Sequence, residues 1–183
     1  MIFALLLAAV AITGCGDAHS HSDKADEHEV KLQLTAYGND FEVYAEATPF
    51  VVGEKSDILA HFTLLNNFKP LTGGSVTASL IVGGKKVIET VKTPAHPGIY
   101  KFDLTPETAG RGQIVFDIQS DSVKSQIIVK DVNVYTKRED AQHAAADAVV
   151  ESSNAVVFTK EMSWKVDFST EPCRKEPFGQ VIR

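Results

Sequence analysis

The side chains best suited to chemistry in this 183-residue chain are imidazoles and thiols, and they fall in separate places. His19, His21 and His28 crowd into the stretch 16–29 (GDAHSHSDKADEHE), beside Asp17, Asp23, Asp26, Glu27 and Glu29. Neutral imidazole and carboxylate together suit Zn²⁺, Cu²⁺ or Ni²⁺. Their spacing follows no fixed ligand pattern, so the stretch reads either as a metal-gathering tail or as a solvated spacer. Thioether ligation of Cu(I) lacks material, because Met1 and Met162 are the only methionines; imidazole chemistry directed at zinc, nickel, cobalt or Cu²⁺ is the better fit. No cofactor is required. Any Zn or Cu binding here is expected to be weak, since folding a coreless tail around an ion costs ordering entropy. His61 alternates with apolar neighbours and points away from them, as a structural or exposed imidazole or as a metal or partner contact. His96 sits between two prolines in Pro94-Ala95-His96-Pro97-Gly98, in a turn or a presented loop tip. Cys173 has no second thiol near it and reads as a stray thiol or a soft metal ligand. No Gly-x-Ser-x-Gly elbow, His-Glu-x-x-His helix, phosphate loop or dinucleotide fingerprint occurs, so no catalytic residue is assigned and the chain reads as a non-enzyme.

The elements that must carry these groups begin with an export signal. Residues 2–12 (IFALLLAAVAI) are an unbroken apolar run, too short to span a bilayer but the right length for the core of a secretory signal. Thr13-Gly14-Cys15 follows it and resembles the lipobox of bacterial lipoproteins. That resemblance implies a lipoprotein signal over 1–15 ending at the lipobox cysteine, acylation at Cys15 as the mature first residue, and a periplasmic protein anchored to a membrane of a Gram-negative envelope by lipid. Residues 16–29 hold no large apolar side chain and form a flexible tether. With Lys+Arg 18 against Asp+Glu 24, the net charge of −6 repels phosphate backbones, so nucleic acid is excluded as a partner.

From 30 to 135 the apolar period is two. Ile58, Ala60, Phe62 and Leu64 form one face; Val76, Ala78, Leu80 and Val82 another; Tyr100, Phe102 and Leu104, then Ile114, Phe116 and Ile118, repeat it. Turn residues fall between the runs, and Gly83-Gly84 marks a two-residue hairpin. Seven or eight short strands at this spacing predict a mainly β domain, an immunoglobulin-like antiparallel β-sandwich. Phe62 and Phe116 belong to its core, while Thr63, on the opposite face, is expected to be dispensable.

Beyond the sandwich, 136–154 reads as a linker. Its 138–151 portion is rich in helix formers but carries a mostly alanine stripe, so a helix there is weakly anchored. Thr159 is a natural N-cap for a short helix over 160–165, with Trp164 as its packing residue. Residues 166–169 and 178–182 alternate as strands. Phe158-Thr159-Lys160-Glu161, Ser163-Trp164-Lys165-Val166-Asp167-Phe168 and Phe178-Gly179-Gln180-Val181-Ile182 resemble the lead-in to the body of periplasmic adaptor subunits, or membrane fusion proteins, of heavy-metal efflux pumps of the resistance-nodulation-division (RND) type. Pro49-Phe50-Val51-Val52-Gly53-Glu54, His61-Phe62-Thr63, Phe68-Lys69-Pro70-Leu71 and Pro97-Gly98-Ile99-Tyr100 are similar to the amino-terminal β-sandwich of such adaptors. The resemblance implies a transport role, with an inner-membrane RND pump and an outer-membrane channel as partners. It also implies that 155–183 is the start of an adaptor core whose lipoyl-like domain, α-hairpin and barrel are missing, making the chain a truncated adaptor. The alternative reading is a stand-alone envelope lipoprotein whose immunoglobulin-like domain binds a metal ion or another ligand.

Overall fold

The computed structural model describes residues 30–120, 123–148, 158–167 and 173–175. Cys15, His19, His21 and His28, and with them the lipid anchor and the tail metal site, lie outside the described residues.

Two facing sheets make a β-sandwich. One has four strands in the order β1 (Leu32–Tyr37), β2 (Phe41–Ala47), β4 (Ser56–Leu64), β7 (Ile99–Leu104). The other has five, in the order β3 (Phe50–Val51), β9 (Lys124–Tyr135), β8 (Gly110–Gln119), β5 (Ser75–Val82), β6 (Lys85–Val91). The expected alternation holds: Ile58, Ala60 and Phe62 face Val76, Ala78, Leu80, Ile114 and Phe116 across the core, all essentially without exposure. Phe62 and Phe116 meet edge-on across the two sheets with ring centroids 5.4 Å apart, and Phe62 meets Tyr100 at 5.5 Å. Gly83 and Gly84 take φ 55° and 79°, the paired left-handed backbone a tight β5–β6 hairpin needs.

Two features depart from the expected pattern. Pairing is antiparallel throughout except at β3, which crosses from the first sheet to the second after Pro49 and joins β9 in parallel through Phe50 and Val51. Two residues are too few to leave a periodic signal, which is why this strand exceeds the expected count. In β9 the inward positions change from odd (Ile127, Val129) to even (Val132, Val134). Asp131, at φ 63°, is the extra residue of a β-bulge opposite Gly112 and Gln113, and it re-phases the strand so that both halves face the core. Arg111 holds it through an Nε–Oδ1 hydrogen bond of 2.8 Å.

Helix α1 (Arg138–Asp147) forms within the predicted linker and buries only Ala141 and Ala145, four residues apart on one stripe. Its apolar anchorage is limited to these two alanines, and Arg138 adds an ion pair to Glu54. Among the described residues no helix is long and apolar enough to cross a membrane.

Candidate functional site

The chemistry gathers on the outer face of the four-stranded sheet. Strand alternation sends Glu42, Tyr44 and Glu46 of β2 and Leu59, His61 and Thr63 of β4 to that face, where the register pairs Tyr44 with His61 and Glu42 with Thr63. A polar outer row of this kind is normally wet. Here Glu42, His61 and Thr63 are buried, because residues 158–167 lie across them as a strap.

The strap owes its shape to its own sequence. Thr159 caps α2 (Lys160–Ser163), its hydroxyl accepting the Met162 N–H at 3.3 Å, as its N-cap position predicts. One helical turn then delivers Trp164 to the sheet with 8% exposure, and its indole N–H donates to the Thr63 hydroxyl at 2.9 Å. The expected strand over 166–169 does not begin at Val166 and Asp167, which are irregular. The Val166 N–H turns back to the Ser163 carbonyl, and Lys69 Nζ donates to the carbonyls of Trp164 and Val166 at 3.2 and 3.1 Å. The rest of that segment and the predicted strand over 178–182 lie outside the described residues.

The niche that receives the indole requires a glycine. At Gly98 the backbone has φ +81°, and a β-carbon there would approach the Trp164 ring to 2.6 Å and Pro70 Cβ to 2.7 Å. The β6–β7 loop therefore serves the strap through Gly98, while His96 stands exposed beside it, its carbonyl accepting the Ile99 N–H in a turn.

Charge completes the contact. Lys160 Nζ lies 2.5 Å from Glu42 Oε1, an ion pair that satisfies a nearly buried carboxylate. His61 Nε2 meets Glu161 Oε1 at 2.8 Å, across a hundred residues of chain. Facing a carboxylate, Nε2 carries the proton; in the neutral ring Nδ1 is then a bare lone pair, buried with no hydrogen-bond partner among the described residues. The ring sits between Tyr44 and Trp164, with centroids 5.8 and 6.0 Å away. Partial burial pushes the Glu161 carboxyl up, but hydrogen bonds from its own backbone N–H, the Thr159 hydroxyl and His61 outweigh it and hold the group below its ordinary value.

Of the residues singled out in the sequence, His61 and Trp164 thus meet. Thr63 is corrected: it is 3% exposed and bonded to the strap, not dispensable. Cys173 is an exposed free thiol. Among the described residues no group of three His, Cys, Asp or Glu side chains is placed to hold a metal ion. Glu42 lies in no motif singled out in the sequence, and Lys160 and Glu161 enter there only through the lead-in segment; their partners across the fold reveal their roles. No family model, curated protein or solved structure matches this chain.

Proposed function

We propose that the chain is the amino-terminal, lipid-anchored module of a periplasmic adaptor in a heavy-metal efflux assembly, a structural component of transmembrane transport and not an enzyme. Its sandwich is read as immunoglobulin-like. The strand order supports this, with β2-β4-β7 opposed to β9-β8-β5-β6 and β3 switching sheets beside the last strand.

One observation carries the adaptor reading. The short segments that resemble the family are scattered over more than a hundred residues, yet His61, Thr63, Lys69, Pro70, Gly98 and Trp164 from four of them converge on the strap contact. The lead-in to the adaptor body is thereby clamped to the sandwich by a buried indole, the Lys160–Glu42 ion pair and the His61–Glu161 hydrogen bond. An adaptor needs such a junction, because its sandwich must hold a defined direction relative to the parts that meet pump and channel.

The test is recovery from native envelopes. A chain tagged at its carboxyl end and extracted in mild detergent should bring down an inner-membrane RND pump and an outer-membrane channel. Deletion of the gene should lower tolerance to zinc, nickel, cobalt or copper. A protein recovered alone, with metal tolerance unchanged, overturns the reading.

A further inference from the structure

The strap leaves part of the sheet uncovered. Between its amino-terminal end and strands β1, β2 and β4 lies a groove of about 510 Å³, walled by Tyr44, Leu59 and Phe158 and edged by Gln33, Glu46 and Glu161. That volume is in the range of small-molecule sites, ~300–1,000 Å³. Phe158, a large apolar ring, is 53% exposed at its mouth.

Two carboxylates, Glu46 and Glu161, line the groove. Glu46 takes the Tyr44 hydroxyl at 3.3 Å and has no cation partner among the described residues. Glu161 accepts the His61 ring N–H and the Thr159 hydroxyl, both uncharged donors, and His61 itself keeps a bare Nδ1. Lys160, the one cation among the described lining residues, is committed to Glu42. Tyr44 reports the resulting field: partial burial, then the Glu46 charge and hydrogen bond, then the Glu161 charge all hold its hydroxyl above the ordinary phenol value. Both carboxylates therefore act on one point in the groove. Anions are repelled there, and neutral molecules leave the negative charge uncompensated.

We infer that the groove binds a small organic cation, a protonated amine or guanidinium on an apolar body, with its charge between Glu46 and Glu161 and its body against Tyr44, Leu59 and Phe158. Aromatic rings beside two carboxylates are the surroundings such a cation prefers over water. The inference is independent of the adaptor reading, since it needs no pump or channel.

Trp164, the only tryptophan in the chain, lies beside His61 and makes binding visible by fluorescence. The full chain is titrated with phenethylammonium, and in parallel with 2-phenylethanol, phenylacetate and Zn²⁺ alone, with calorimetry on each. The amine should bind saturably in the sub-millimolar range, and the alcohol and carboxylate at least about tenfold more weakly. Glu46→Gln should weaken the amine by about tenfold. Gln33→Lys, at an exposed edge position remote from the core, should abolish binding by placing a resident ammonium in the groove. Asp117→Asn, on the opposite sheet, should change nothing. Absence of saturation by the amine, equal binding of alcohol or carboxylate, a Zn²⁺ response that Glu46→Gln removes, or wild-type affinity in both Glu46→Gln and Gln33→Lys overturns the inference.

Discussion

Thr63 and Thr77 occupy corresponding places in the molecule, each pointing outward from a central strand of its sheet, and their surroundings have nothing else in common. Thr63 is 3% exposed beneath the strap and accepts the Trp164 N–H. Thr77 faces Thr90 across β5 and β6 on an exposed surface, hydroxyl to hydroxyl at 2.8 Å, with Ile88 and Ile128 standing exposed nearby on the same face. The alternation of a strand assigns a residue to the outside of its sheet and says nothing of what lands there later in the chain. Burial on an outer face is decided by a distant segment, and here that segment is anchored by one indole and a few charged contacts.

The largest effect should come from the layer that both faces share. Phe116→Ala removes a ring packed against Phe62 and Phe102 at the centre of the core and should cost about 3–5 kcal/mol, enough to unfold a marginal domain. Chemical denaturation checks it. A loss below about 1 kcal/mol would mean that the two sheets do not pack in this register.

Next in size is a pair that sets the covered face against the open one. Trp164→Ala empties the niche formed by Thr63, Pro70 and Gly98 and should cost about 3 kcal/mol, the low end for a buried aromatic, since the strap is held from one side only. Ile128→Ala, at 38% exposure on the open face, should cost less than about 1 kcal/mol. Limited proteolysis should find new cleavage near 158–167 in the first variant and none in the second. Equal losses would erase the distinction between the faces.

The two threonines sharpen it further. Thr63→Ala strands a buried indole N–H and should cost about 1–2 kcal/mol, whereas Thr77→Ala should stay within about 0.5 kcal/mol of wild type. Sequence reasoning alone treats these substitutions alike, which shows where its reach ends. The inner faces were legible because period-two alternation of Phe62, Leu80, Phe102 and Phe116 is a property of each strand by itself. The Thr159 cap and Trp164 as a packing residue were legible for the same reason, both being local. The target of Trp164 was not, since Thr63 and Gly98 are joined to it only by tertiary structure. Glu42 draws no reading at all, and His61 stays open between a structural or exposed imidazole and a contact, because nothing near them in sequence could pair with them. The partners Lys160 and Glu161 come from more than ninety-nine positions away, adjacent on one helical turn that inserts both at once. The β9 bulge was hidden differently: Asp131 breaks the alternation, and a pattern search treats that break as the end of a strand.

The smallest effect is a pH dependence confined to the covered face. The Glu161 carboxyl is held below its ordinary value near 4.5 by its hydrogen bonds in the docked strap. The undocked strap therefore takes up the proton first, and docking is favoured by ionised Glu161. That contribution is fully present above the ordinary carboxylate range and is lost as pH falls through the depressed folded value, so the window lies at about pH 4.5 and below. Because the side chain is 42% exposed, solvent screening keeps the effect small. Other ionisable groups share the contact: His61 bonded to Glu161 itself, Tyr44 beside the imidazole, and the Lys160–Glu42 pair one residue along the strap. The measurement must separate Glu161 from them. Trp164 emission followed against pH in wild type and in Glu161→Gln does so, since Gln cannot titrate while the remaining groups still do. The two curves should differ above pH 5, with wild type more blue-shifted, and converge as the acid limit is approached. Parallel curves at all pH values would show that the carboxylate contributes nothing to holding the strap, leaving the indole, the Lys160–Glu42 pair and the Lys69 hydrogen bonds to carry it.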